Sequence, residues 1–278
     1  MTGSAKQLEF TADGDELGRR VEASWRRAAR RDVMWQILLP FAVGIPLLLG
    51  WELYARSLNN PFVPGPTDVV AAIPNVLGGE LVGAFVVTNV AMLRGYVVAA
   101  GAGILLGFVM GRYRLADAIT GPYLDLAMVT PMIVLMPIVL MALGLNAVAL
   151  SVVVFLFALP YIAVPCRAGV RAVPAESVDM ARSFGARELQ LWREVLLPGS
   201  LPAVLTGLRL GFGMAVTGII ATELTLLAVG LGRVIVGYQS KFQTDNTFAV
   251  TLLIMLECIV VMGGLRLFEL RQQYRRLS

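Results

Sequence analysis

Long apolar runs separated by short charged stretches dominate the chain, and each run approaches the ~20 residues that an α-helix needs to cross ~30 Å of hydrocarbon. Six such runs occur, at about 33–54, 92–111, 122–144, 146–165, 201–226 and 247–267. They predict an all-α, polytopic membrane helix bundle with about six transmembrane helices. Pro131, Pro137 and Pro160 fall inside the predicted spans, where neighbouring helices can satisfy the backbone groups a proline frees. The resulting organisation is a polar tail (1–32), a first span (33–54), an extramembrane loop (55–91), a helical core (92–270) interrupted by a polar loop (166–200), and a short C-terminal tail (271–278).

Composition agrees with a lipid environment. The 278 residues are 57% hydrophobic and 15% charged, with a mean hydropathy of +0.74, a balance outside the range of soluble domains. Positive loops stay in the cytoplasm. An orientation with both termini inside places there the Lys6 to Arg31 group, Arg112, Arg114, the five arginines from Arg167 to Arg193 and the four from Arg266 to Arg276. Only Arg56, Arg94, Arg233 and Lys241 fall outside. The net charge of +4 therefore follows from topology and does not require a nucleic-acid partner. The basic stretch "RRVEASWRRAARR" (Arg19 to Arg31) reads as a solvated tail that fixes orientation, or as a helix lying on anionic headgroups. Cys166 and Cys258 sit at or inside spans and read as small core residues.

The residue inventory removes most catalytic chemistry. With no His, zincin, Ser-His-Asp and Cys-His arrangements cannot form, and with lysine only at Lys6 and Lys241 there is no G-x-x-x-x-G-K-[ST] phosphate loop. Two carboxylates lie at membrane depth, Glu223 and Glu257, where ionisable groups are costly. Glu223, near one end of its span after Thr217 and Thr222, fits a pathway or gate, or a structural hydrogen-bonding role. Pro131 and Met132 are further pathway candidates, and Glu257 reads as structurally paired. Gly95, Ala99, Gly103, Gly107 and Gly111 recur every four residues along one helical stripe, and Gly207 and Gly211 repeat the spacing, so these faces predict close helix packing.

One stretch breaks the pattern. "DMARSFGARELQLWREVLLP" (Asp179 to Pro198) is rich in charge between two apolar runs. Pro174 suits a first helical turn, Ala175 to Phe184 continue it, and Gly185 fits the left-handed residue that ends a helix. A second short helix from about Arg187 to Leu196 is predicted to stop before Pro198, with Leu189, Trp192 and Leu196 on one apolar face. That face suits a protein partner or a lipid surface equally well.

The spacing Asp179-x-Ala181-x3-Gly185-x9-Val195-x-Leu197-Pro198 resembles the cytoplasmic signature of ABC importer permeases, with Asp179 for the usual Glu, Met180 for an Ala and Val195 for an Ile. "FVPGPTDVV" (Phe62 to Val70), "LRGYVVAAGAGILLGFVMG" (Leu93 to Gly111), "VTPMIVLMPIVLMALGL" (Val129 to Leu145), "LTGLRLG" (Leu205 to Gly211) and "GLGRVI" (Gly230 to Ile235) resemble the nitrate, sulfonate and taurine branch of that family. The resemblance covers about residues 33–275. It implies the type I permease fold, with 92–270 as the permease core, acting in the bacterial cell membrane. It implies pairing with a second permease subunit, a homodimer being the simplest form. It also implies two ATPase subunits that hold ATP and Mg, and an extracytoplasmic solute-binding protein. This chain itself would bind no cofactor and carry no ATPase site. Asp179, Ala181, Gly185, Glu188, Trp192, Val195, Leu197 and Pro198 would form the ATPase-coupling element. The implied cargo is a small, anionic solute, nitrate-, sulfonate- or taurine-like, an aromatic acid or a pyrimidine precursor. The rival classes are a secondary transporter or channel subunit, which more often shows repeats and mid-depth ion ligands, and a membrane enzyme.

Overall fold

The computed structural model describes residues 42–58, 60–227 and 229–274, with the side chains of 79, 226, 227 and 265–274 left aside. The polar tail 1–32, the opening of the first predicted span (33–41) and the last residues of the C-terminal tail (275–278) lie outside the described residues. The chain divides into two compact units, Met1–Asp68 and Val69–Ser278. Within the first unit, helix α1 spans 42–58, four residues beyond the predicted end of the first span. Its Glu52 carboxylate accepts hydrogen bonds from Thr67 Oγ1 (2.7 Å) and Thr67 N–H (3.2 Å) and pairs with Arg56 at 2.6 Å. That network pins the turn leading into α2 (Pro66–Val76).

Among its described residues the second unit consists of helices joined by short turns. It contains α3 (Gly79–Arg112), α4 (Arg114–Val129), a 3-10 turn (Met132–Leu135), α5 (Met136–Leu143), α6 (Ala147–Arg171), α7 (Ala175–Ser183) and α8 (Glu188–Leu191). A π turn (Trp192–Leu196), α9 (Leu197–Thr222), a second π turn (Glu223–Leu227), α10 (Gly230–Ser240) and α11 (Thr244–Tyr274) complete it. Among the described residues, four helices are long and apolar enough to cross a membrane: Glu80–Arg112, Ala147–Arg171, Glu188–Thr225 and Thr244–Gly264. The pair Arg114–Val129 and Met132–Leu143, bent by 97°, makes a fifth if counted as one span.

Three sequence expectations change here. The stretch 55–91 is mostly helix, because α3 begins at Gly79 rather than near residue 92; exposed apolar side chains such as Val82, Val86 and Val87 extend its apolar surface toward the N-terminus. The predicted span 122–144 is broken. Thr130, which precedes Pro131, takes an extended conformation (φ −72°, ψ 127°), as the steric demand of a following proline ring favours. Pro137 then sits in the first turn of α5, where its missing N–H costs nothing. Of the three prolines, only Pro160 lies in a helix interior, in α6 with Pro165. Finally, no helix stop separates the polar loop from α9. At the π turn, the Leu197 N–H reaches back five residues to Trp192 O. This wider turn accommodates Pro198, which has no N–H and whose ring would crowd the Glu194 carbonyl.

Helix α6 runs between α3 and α9, and the glycines make this possible. A Cβ on Gly95 would meet Ser151 O and Val154, one on Gly103 would meet Ile162, one on Gly107 Ala163 O and Cys166, and one on Gly111 Val170. From the other side, a Cβ on Gly207 would lie 3.0 Å from Ile162 O, and one on Gly211 would strike the Ile162 side chain. Ile162, fully buried, is thus clasped between both stripes. Asn146 starts α6 by accepting from Val148 N–H (2.9 Å) and Ala149 N–H (3.0 Å), an N-cap that its short amide side chain favours.

Candidate functional site

The polar loop between α6 and α9 is built around Gly185. Its φ is +79°, Gly185 N–H donates to Arg182 O (2.9 Å), and Ala186 N–H donates to Ala181 O (3.0 Å). This is the double bond of a Schellman C-cap, which requires a left-handed residue at that position. Arg187 N–H then donates to Gln190 Oε1 at 2.9 Å, which caps the start of α8. The tip leaves large apolar side chains in the open: Phe184 is 86% exposed, Leu189 69% and Met180 61%.

The predicted apolar face does not survive intact. Leu189 points outward, whereas Leu191 and Leu196 are buried and Trp192 stacks on Phe108 of α3, with ring centroids 5.8 Å apart and planes at 25°. Trp192 and Leu196 keep the predicted inward face across the π turn, and Leu189 alone leaves it. Ala181 and Val195 also pack against the core, and Pro198 is half-buried, whereas Asp179, Gly185, Glu188 and Leu197 are exposed. Glu188 turns toward the bundle: its Oε1 accepts from Arg112 Nη2 (2.8 Å) and Arg182 Nη2 (3.2 Å). Beside it, Asp117 pairs with Arg171 (2.6 Å) and Arg167 (3.2 Å), and Arg171 also reaches Met110 O at 3.3 Å. The ends of α3, α4 and α6 are joined by these arginines, which the sequence reading had used only to assign topology.

The pathway candidates separate into two groups. Thr217 is exposed on α9, its hydroxyl donating to Gly213 O (3.0 Å). Pro131 and Met132 lie at the α4–α5 break, and Met132 packs beside Met136, Val153 and Phe157. Thr222 is buried, its hydroxyl 2.6 Å from Gly218 O and 3.1 Å from Met136 Sδ. Glu223, near the end of its span, is completely buried. Thr88 Oγ1 lies 2.8 Å and 3.0 Å from its two carboxylate oxygens, Gly232 N–H donates to Oε2 at 3.1 Å, and Leu231 N–H donates to Thr88 Oγ1 at 3.0 Å. The carboxylate therefore faces the first turn of α10, a position that helix N-termini favour for acidic groups. Glu257 contributes the polar side chain of an otherwise apolar groove of about 410 Å³, lined by Leu81, Phe85, Leu231 and Ile254 among others. Thr88 was missed in the sequence because nothing local relates it to residues more than a hundred positions away.

Glycine-packed spanning helices, a broken helix pair and a charged loop with an apolar tip define a membrane-embedded permease. The chain belongs to the family of binding-protein-dependent transport system inner membrane components, the permease subunits of ABC importers, whose family model matches residues 99–274. It is 33% identical over 196 residues to a probable ABC transporter permease protein of Brucella melitensis, which covers 70% of this chain and 78% of that protein. It is 26% identical over 254 residues to the taurine transport system permease protein TauC of Escherichia coli, covering 89% of this chain and 91% of that one. A chain of the MetNI methionine ABC transporter, solved in inward-facing conformations, superposes with a TM-score of 0.52 at 20% identity, covering 68% of this chain and 93% of that chain. The type I permease fold read from the sequence is the fold of this chain.

Proposed function

We propose that the loop 166–200 is the seat of an ATPase subunit, and that two copies of this permease work with two such subunits. An extracytoplasmic solute-binding protein delivers cargo to the opposite face. Both termini and the loop then lie in the cytoplasm. ATP and Mg stay on the partner subunits, and their closure rotates the permease halves between inward-open and outward-open states. The observation that carries this reading is the exposed tip of Met180, Phe184 and Leu189 around the rigid Gly185 turn, within a segment too charged to rest in hydrocarbon. Apolar anchors in a polar surround are what a protein groove recognises. The cargo is a small anionic or zwitterionic solute of the nitrate, sulfonate and taurine kind; taurine is the solute in the name of the Escherichia coli relative.

The test is recovery of the cognate ATPase subunit by membrane-inserted permease. Phe184→Ser and Leu189→Ser should each lose recovery and ATP-driven uptake, while insertion and binding-protein docking persist. Full recovery and uptake in both variants would falsify the seat. A calorimetric ligand screen of the cognate binding protein, begun with taurine and nitrate, tests the cargo class.

A further inference from the structure

Phe108 and Arg112 are four residues apart on α3, and Glu188 and Trp192 are four apart on the helical segment after Gly185, so each pair projects from a single helix face. The pairs meet in opposite order: Phe108 with Trp192, ring centroids 5.8 Å apart, and Arg112 with Glu188 at 2.8 Å. Glu188 also bonds Arg182 on α7 at 3.2 Å, which ties both arms of the Gly185 turn to the same carboxylate. Phe108 is buried, whereas the side chains of Arg112 and Glu188 are 23% and 56% exposed. The ring stack supplies attachment. The ion pair, whose exposed setting limits its contribution to stability, supplies register. Arg112 meets Glu188 through Nη2, while its Nε is buried without a hydrogen-bond partner.

We propose that these contacts form a two-point clamp delivering displacement of the coupling loop to α3, so that Glu188 is a positioning residue for transport and not an ATPase contact. Motion of the loop reaches α9 directly, because the helix is continuous from Glu188 to Thr225. The segment after Gly185 is not continuous with α3, and the clamp is the side-chain contact that fixes how these two elements slide. This rests on the ATPase seat proposed above.

The experiment needs no cargo. The complete transporter is placed in nanodiscs with an environment-sensitive fluorophore on Val97→Cys of α3 or Thr217→Cys of α9, both exposed on this chain, in a Cys166→Ala, Cys258→Ser background. Mg-ATP with vanadate is the probe. In the parent, both labels should respond. Arg112→Gln and Glu188→Gln should each cut the α3 response roughly fivefold, the scale of an exposed ion pair. The double variant should be no worse than either single, and the α9 response and ATPase recovery should be retained. An unchanged α3 response, equal loss at α3 and α9, or additive losses overturns the clamp. Loss of ATPase recovery in Glu188→Gln alone makes Glu188 an ATPase contact and overturns the clamp while leaving the seat standing. No recovery by the parent removes both, so failure of the seat is read separately.

Discussion

Thr88 Oγ1 lies 2.8 Å from Glu223 Oε1 across 135 residues of chain, and the same hydroxyl accepts the Leu231 N–H. The pair closes the N-terminus of α10 onto α3. Gly230, at φ +56°, and Gly232 permit the approach, since a Cβ on Gly230 would strike Thr88 and Glu223, and one on Gly232 would meet the Glu223 backbone. Thr88→Val keeps the shape and removes the hydroxyl, leaving a buried N–H unpaired at a cost of about 1–3 kcal/mol. A lower thermal midpoint of the purified complex is expected for Thr88→Val, with recovery in Thr88→Ser. Uptake per folded complex should change little. An unaltered midpoint in Thr88→Val would remove the capping role and return Glu223 to the gate.

The glycine stripes predict a sharp contrast along one helix. Gly107 has Ala163 O and Cys166 where a Cβ would go, whereas Gly101 has nothing within 4 Å. Gly107→Ala should destabilise by about 1–3 kcal/mol through forced overpacking. Gly101→Ala should be neutral or stabilising by up to ~1 kcal/mol from helix propensity. Thermal unfolding of both in one detergent checks this; equal midpoints would mean that α3 and α6 separate freely.

The legible parts of the fold were those with a local period. The apolar runs located α6, α9 and α11 closely, and the glycine spacing located the faces that α6 fills. The Gly185 turn was legible because only a few residues tolerate its backbone angle. The π turn was not, since its widened ring depends on where Trp192 and Pro198 must both sit. The break at Pro131 was misread as a tolerated proline because hydropathy alone cannot tell a kink from a stop. Glu223 stayed open between a gate and a structural hydrogen-bonding role because its depth was readable while its partners on α3 and α10 were not.

Backbone strain at Gly185 gives a graded series. The position has open space around it, so only the left-handed backbone penalises a side chain there. Gly185→Ala should cost about 1 kcal/mol, Gly185→Val more, and Gly185→Asn less, because Asn tolerates that region. Recovery of the ATPase subunit should follow the order Gly, Asn, Ala, Val while membrane insertion stays constant. A series ordered by side-chain size instead, with Asn below Ala, would show that steric conflict with the partner and not the turn sets the effect.

The orientation can be tested without any partner. Among described residues, Arg112, Arg167, Arg171 and Arg182 gather around the loop end of the bundle through Glu188 and Asp117, while Glu80 pairs with Arg233 at 3.0 Å at the start of α3. Helix α3, at 34 residues and ~1.5 Å per residue, is about 50 Å long, so its two ends lie on opposite sides of a bilayer. By the positive-inside rule, the excess of arginine at the loop end predicts that this end faces the cytoplasm. Single cysteines are introduced by Ser183→Cys, in the loop, and Asn60→Cys, after α1, in a background lacking Cys166 and Cys258; Cys166 is buried, and its replacement by Ala keeps the contact with Gly107 small. A membrane-impermeant thiol reagent applied to intact cells should label Asn60→Cys and spare Ser183→Cys, and lysed cells should label both. Labelling of Ser183→Cys from outside reverses the orientation and places the loop where no cytoplasmic ATPase can reach it.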